Sequence, residues 1–151
     1  MPTNEIYNAI VVDDQIVTAG QPTEDQLKSA AAEGFSNVIN LAPTDSRSLN
    51  DEAGLVRELG MAYFHIPVAW DNPQQKDFDA FESAMSQRSA GKTLIHCVAN
   101  FRVTAFYSLY AQKQLGWSEA QANDFRAAIW QGSDNPVWED FITRTQAQIK
   151  R

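Results

Sequence analysis

The chain has 151 residues, 44% of them hydrophobic and 11% aromatic, with a net charge of −7 and a pI of about 4.7. This length and composition are typical of a single globular domain over residues 1–151, and they exclude a disordered or fibrous chain. Because so acidic a chain repels polyanions, we expect neither nucleic acid nor a membrane surface as a partner.

The N-terminus and the hydropathy pattern indicate no targeting or membrane segment. No apolar run approaches the roughly 20 residues that a membrane span needs. Met1-Pro-Thr-Asn-Glu has neither the basic start nor the apolar core of a signal peptide. We therefore expect a cytoplasmic protein, or a periplasmic one if a signal peptide was removed.

The first half of the chain shows strand and helix patterns in alternation. They predict two short strands within residues 9–19, a helix over 24–33, a strand over 35–41, a helix over 51–59 and a strand over 61–68. Thr23 and Gln26 form a capping box at the start of the first helix, and Gly34 follows its end.

The second half begins with one more helix and strand and is then helical. The patterns predict a helix over 74–88, a strand over 93–96, and helices over 103–114, 118–130 and 136–148. Ser118 with Gln121 is a second capping box, and Pro136 suits a first helical turn. The alternation predicts a three-layer α/β fold: a mostly parallel central sheet with helices on both faces, and the last helices packed on one side.

Cys97 is the only cysteine, and it lies where a predicted strand meets a predicted helix. The amino end of that helix favours an anion and the ionised, nucleophilic form of the thiol. Arg102 can hold two oxygens of a phosphoryl or sulfuryl group at once. We expect phosphate or sulfate to bind Arg102 and the loop amides, which belong to Val98, Ala99, Asn100, Phe101 and Arg102.

Polar residues near this loop have both functional and ordinary interpretations. Asp71 follows the strand over 61–68 and is the best candidate for a general acid, although it also fits a turn or helix cap. His96 either supports the loop by hydrogen bonds or is a buried core histidine. Cys97 taken alone could be a small buried hydrophobic residue. One cysteine and two histidines indicate no disulfide and no metal site, and no cofactor is expected.

His96, Cys97 and Arg102 resemble the His-Cys…Arg signature of protein tyrosine and dual-specificity phosphatases. Residues 18–27, TAGQPTEDQL, with Gly34-Phe35 and residues 38–41, resemble a bacterial branch of that superfamily: candidate phosphatases of the beta-lactamase-hydrolase-like group, long a domain of unknown function. The likeness covers about residues 8–115. It implies a phosphotyrosine phosphatase-like fold, with Cys97 as nucleophile, Arg102 as phosphate clamp and Asp71 as general acid. The substrate would be a phosphoprotein or a small phosphomonoester.

The loop departs from the usual phosphatase pattern in three places. Four residues instead of five separate Cys97 from Arg102, Asn100 replaces a glycine, and Val103 replaces the usual Ser or Thr, so that Thr104 would have to supply the hydroxyl. The four-residue spacing also matches rhodanese-like sulfurtransferases, which carry a persulfide on one cysteine. A module that binds phosphate without turnover is the third possibility, and the pattern does not indicate an oligomeric state.

Overall fold

The computed structural model describes residues 3–45 and 47–149, which form a five-stranded sheet with helices on both faces. The strands are β1 (Ile10–Val11), β2 (Ile16–Ala19), β3 (Phe35–Asn40), β4 (Ala62–His65) and β5 (Lys92–His96). The helices are α1 (Glu24–Ala32), α2 (Glu52–Glu58), α3 (Gln75–Ser86), α4 (Phe101–Gln114), α5 (Glu119–Trp130) and α6 (Pro136–Ile149). A 3₁₀ turn, Thr3–Glu5, precedes them. The three-layer α/β fold predicted from the sequence is confirmed.

The sheet has the strand order β1-β2-β5-β3-β4, with β1 antiparallel and the other strands parallel. Ala19 of β2 and Asn40 of β3 are both in register with His96, the last residue of β5. The carboxyl ends of three adjacent parallel strands therefore meet at one edge, directly before Cys97. This edge is where open α/β sheets bind ligands.

Neighbouring residues in the central strands pack on opposite faces because side chains alternate along a strand. Val38 and Leu94 belong to a buried cluster with residues of α1 and α2. Ile39 and Ile95 belong to a second cluster with residues of α3, α4 and α6. The sheet is thus buried on both sides, as parallel sheets require.

The last two helices pack on one side of the sheet, as predicted. Both α5 and α6 contact α4, and Trp138 and Phe141 of α6 join the same buried cluster as Phe106 of α4. Both predicted capping boxes are present, at Thr23 and at Ser118. Within the part of the chain that the structure describes, no helix has the length and apolar character to cross a membrane.

The strand predicted over residues 61–68 is shorter in the structure. Regular pairing ends at His65, although Ile66 N–H donates to Asn40 O at 2.9 Å and Val68 N–H donates to Leu41 O at 3.0 Å. Pro67 between them has no N–H, which such an extended edge segment tolerates. The chain therefore leaves the sheet near the functional edge and continues into the loop that carries Trp70 and Asp71.

Candidate active site

Cys97 and Arg102 are both buried at the strand-to-helix junction predicted from the sequence. Cys97 follows β5 directly, its amide donates to Ala19 O at 3.2 Å, and its exposed fraction is 0%. Helix α4 begins at Phe101, two residues earlier than the predicted start at residue 103. Arg102 therefore lies inside the first helical turn, where the N–H groups have no helical partners.

Asn100 produces the early helix start, because its backbone is left-handed, with φ of 70°, and it forms the N-cap of α4. Asparagine tolerates this region better than most residues. Its side-chain amide donates to Asn8 O at 2.9 Å and to Thr18 Oγ1 at 3.2 Å. Glycine could adopt the turn but could not make these two bonds, so Asn100 both permits the turn and ties the loop to β2.

The loop carbonyls are held by groups outside the loop. Gln21 N–H donates to Val98 O at 2.9 Å, and the side chain of Asn8 donates to Ala99 O at 3.0 Å. In a planar trans peptide the N–H points opposite to the C=O. The amide of Ala99 consequently points away from Gln21 and is not used by that contact.

The guanidinium of Arg102 has unused hydrogen-bonding capacity. Arg102 is 7% exposed, and its Nε is buried without a partner in the described structure. Burial lowers the pKa of Arg102, while its hydrogen bond and charge interaction with Cys97 oppose this shift. A buried cation with a free N–H beside a thiol is what the clamp of an oxyanion requires.

An open cleft of about 330 Å³ gives access to this pair. It is lined by Arg47, Trp70, Cys97, Val98, Ala99, Phe101 and Arg102. Trp70 lies 5.4 Å from the centre of the Arg102 guanidinium, and its carbonyl accepts from Trp138 Nε1 at 2.7 Å. The ring of Trp70 also stacks on Trp130 at 5.8 Å, so these contacts hold this wall of the cleft in place.

Asp71 and Thr104 lie apart from the cleft lining. Asp71 is exposed on the loop that carries Trp70, next to the cleft but not among the residues that line it. The hydroxyl of Thr104 is buried, 2.9 Å from Asn100 O and 3.1 Å from Phe101 O, and it accepts from Trp130 Nε1 at 3.2 Å. The roles of Asp71 as acid and of Thr104 as hydroxyl donor stay predictions.

Glu52 is a component of the site that the sequence patterns did not indicate. Its Oε2 lies 2.6 Å from His96 Nε2, and its Oε1 accepts from Gln21 Nε2 at 2.9 Å. His96 Nδ1 in turn lies 3.0 Å from Cys97 O. Burial alone would raise the pKa of Glu52, but His96 and Gln21 outweigh it and the pKa is lowered. Nothing local marks Glu52, since an acidic residue in a first helical turn is ordinary.

The assembled site can bind an oxyanion next to a sulfur nucleophile. Arg102, the amino end of α4 and the loop amides supply donors, and Cys97 supplies the reacting atom. Over residues 3–45 and 47–149, no three or more His, Cys, Asp or Glu side chains converge as they would around a metal ion. A thiol nucleophile beside oxyanion donors is suited to covalent acyl, phosphoryl or sulfur transfer.

Residues 9–114 match a family described as the phosphatase-like domain of the Beta-lactamase hydrolase-like protein. A Beta-lactamase hydrolase-like protein of Xylella fastidiosa is 29% identical over 102 residues, which are 65% of this chain and 23% of that protein. A protein of the same name from Agrobacterium fabrum is 28% identical over 105 residues. The chain thus spans about a quarter of the length of these curated relatives.

The fold is similar to those of solved phosphatase-like structures. A candidate phosphatase (DUF442) of Shewanella putrefaciens CN-32 is 33% identical with a TM-score of 0.87, and the match covers 95% of this chain and 91% of that chain. A mutant form of Tk-PTP is 19% identical with a TM-score of 0.79, covering 95% and 97%. At that identity the second likeness concerns the fold alone.

Proposed function

Because the chain belongs to the family of phosphatase-like domains of beta-lactamase hydrolase-like proteins, we propose that it is a cysteine-dependent phosphatase. It would hydrolyse phosphomonoesters, of a phosphoprotein or a small molecule, through a phospho-cysteine on Cys97. The observation that carries the proposal is the buried guanidinium of Arg102, which interacts with Cys97 and whose Nε has no partner within residues 3–45 and 47–149. A phosphoryl oxygen in the cleft would satisfy that donor.

In the first step the thiolate of Cys97 attacks phosphorus and the ester P–O bond breaks. Asp71 gives its proton to the departing oxygen, so an alcohol leaves. In the second step water attacks the phospho-cysteine, Asp71 takes the water proton, and the P–S bond breaks to give phosphate and the thiolate. Arg102 and the loop amides hold the equatorial oxygens throughout. Since Asp71 lies outside the cleft lining, this sequence requires its loop to move toward bound substrate.

A rhodanese-like sulfurtransferase is the second candidate, and the placement of Asp71 and Thr104 favours it. In that reaction the thiolate attacks the outer sulfur of thiosulfate, the S–S bond breaks, and sulfite leaves. The persulfide on Cys97 then passes its outer sulfur to a nucleophile such as cyanide and regenerates the thiolate. Neither step needs a proton donor or a hydroxyl that assists the leaving thiolate.

A paired assay separates the candidates. Wild type, Cys97→Ser and Asp71→Asn are each given an aryl phosphate, and separately thiosulfate with cyanide. Phosphate release that disappears in Cys97→Ser supports the phosphatase. Thiocyanate formation without phosphate release contradicts it and supports the sulfurtransferase. Phosphate binding by Arg102 with neither turnover identifies a binding module.

A further inference from the structure

Behind Cys97 lies a buried pair of titratable side chains that the reaction steps above do not use. Glu52 of α2 and His96 of β5 are separated by 44 residues in sequence and are joined by a 2.6 Å contact between Oε2 and Nε2. Glu52 is 7% exposed and His96 is 0% exposed. A buried carboxylate is rarely retained unless it is paired and hydrogen-bonded, so the pair calls for an explanation.

The partners of His96 fix the position of its ring. Nδ1 faces the carbonyl oxygen of Cys97 at 3.0 Å, and a carbonyl only accepts, so Nδ1 carries a hydrogen. Nε2 faces Glu52, whose other oxygen already accepts from Gln21. Oε2 of Glu52 lies 2.6 Å from Nε2, so the ring of His96 is held between the Glu52 carboxyl group and the carbonyl of Cys97.

We propose that Glu52 is a positioning residue that keeps His96 protonated, so that a fixed positive charge behind the loop favours the thiolate of Cys97. The inference rests on the proposed nucleophilic role of Cys97, but it holds for either phosphoryl or sulfur transfer. The imidazolium donates directly to the carbonyl of Cys97, which polarises that peptide and fixes the start of the loop. Glu52 reaches the reacting atom only through His96.

Other charged and titratable groups near the pair also affect the ionisation of Glu52 or interact with Cys97. His65 of β4 lowers the pKa of Glu52 through its charge. Burial raises the pKa of Tyr63, also of β4, to about 12, so this phenol stays neutral at ordinary pH. Arg102 of α4 interacts with Cys97 through its charge and through a hydrogen bond. Removing the Glu52 charge therefore changes only one of several interactions that favour the thiolate of Cys97, and we expect a moderate effect on the reactivity of Cys97.

The test measures the rate at which iodoacetamide alkylates Cys97 as a function of pH. Cys97 is the only cysteine, so the signal is unambiguous and needs no turnover. Glu52→Gln preserves the shape and can donate its amide N–H to a neutral His96, so it removes the charge without removing the hydrogen bond. Glu58→Gln removes one charge from an exposed position of the same helix and serves as the matched control.

We expect the alkylation profile of Glu52→Gln to move to higher pH, with a rate about three- to tenfold lower below the midpoint. Glu58→Gln should keep the wild-type profile. In the background of His96→Asn, Glu52→Gln should have no further effect, because the carboxylate acts only through the imidazole. In wild type, the ¹⁵N shifts of the His96 ring should be those of an imidazolium.

Two results would overturn the inference. One is an unchanged alkylation profile in a folded Glu52→Gln variant, and the other is a neutral His96 ring in wild type. Failure of the proposed function would give a different result. Phosphate release and thiocyanate formation would be absent, while the wild-type alkylation profile and its dependence on Glu52 would persist. Thermal unfolding of each variant confirms that the comparison is made between folded proteins.

Discussion

Replacing Arg102 with lysine tests whether the anion site depends on the geometry of the guanidinium or only on its charge. The structure presents a buried guanidinium whose Nε has no partner among the described residues and whose Cζ lies 5.4 Å from the centre of the Trp70 ring. Lysine keeps the charge but offers one directed contact where the fork can offer two. Loss of one hydrogen bond to a charged group costs about 1.5–3 kcal/mol, which corresponds to roughly 10- to 150-fold weaker binding of phosphate.

The assay is a titration of inorganic phosphate into Cys97→Ser and into Cys97→Ser combined with Arg102→Lys, followed by NMR shifts of the loop amides. Arg47→Lys is the matched control, because Arg47 lines the same cleft but is exposed and paired with Asp45 at 2.7 Å. We expect its effect to stay below about threefold. Equal affinities of the Arg102→Lys variant and its parent would refute the argument that the fork binds the anion.

Three further outcomes follow from the same geometry. Asp71→Asn should lower kcat by about 10²- to 10⁴-fold while phosphate affinity stays unchanged, and a loss of affinity instead would point to a structural role. Trp138→Phe removes the donor to Trp70 O and should cost about 1–3 kcal/mol in urea unfolding; an unchanged midpoint contradicts this. The lowered pKa of Glu52 stabilises the fold above its ordinary value of 4.5, and this contribution is lost as pH falls through the folded-state pKa. The free energy of unfolding of Glu52→Gln should therefore fall less than that of wild type between about pH 5 and pH 3, and parallel curves would exclude this linkage.

The order of the strands and helices could be predicted from the chain because its signals are local. Capping boxes at Thr23 and Ser118 mark helix starts within four residues, and both are present as predicted. Pairs such as Val38 and Ile39 show by their neighbouring apolar side chains that a strand is buried on both faces. The errors are at element ends, where Asn100 starts α4 early and the regular pairing of β4 already ends at His65.

The site was less predictable, because its parts come from distant segments. The proximity of Cys97 and Arg102 could be read from a short turn between strand and helix. The partners of Asn100 lie 92 and 82 residues away, at Asn8 and Thr18. The contact of Trp70 with Arg102 had no signature in the spacing of residues.

The sequence by itself determined the α/β class, the junction that holds Cys97, and the donors that follow it, since these depend on interactions within one turn or one strand. Only the tertiary structure decided that Glu52 lies behind His96 and that Asp71 lies outside the cleft lining. Such placements depend on which strands become neighbours and on how loops leave a shared sheet edge. Packing of the whole core determines the strand neighbours and the loop paths, and no local sequence pattern encodes them.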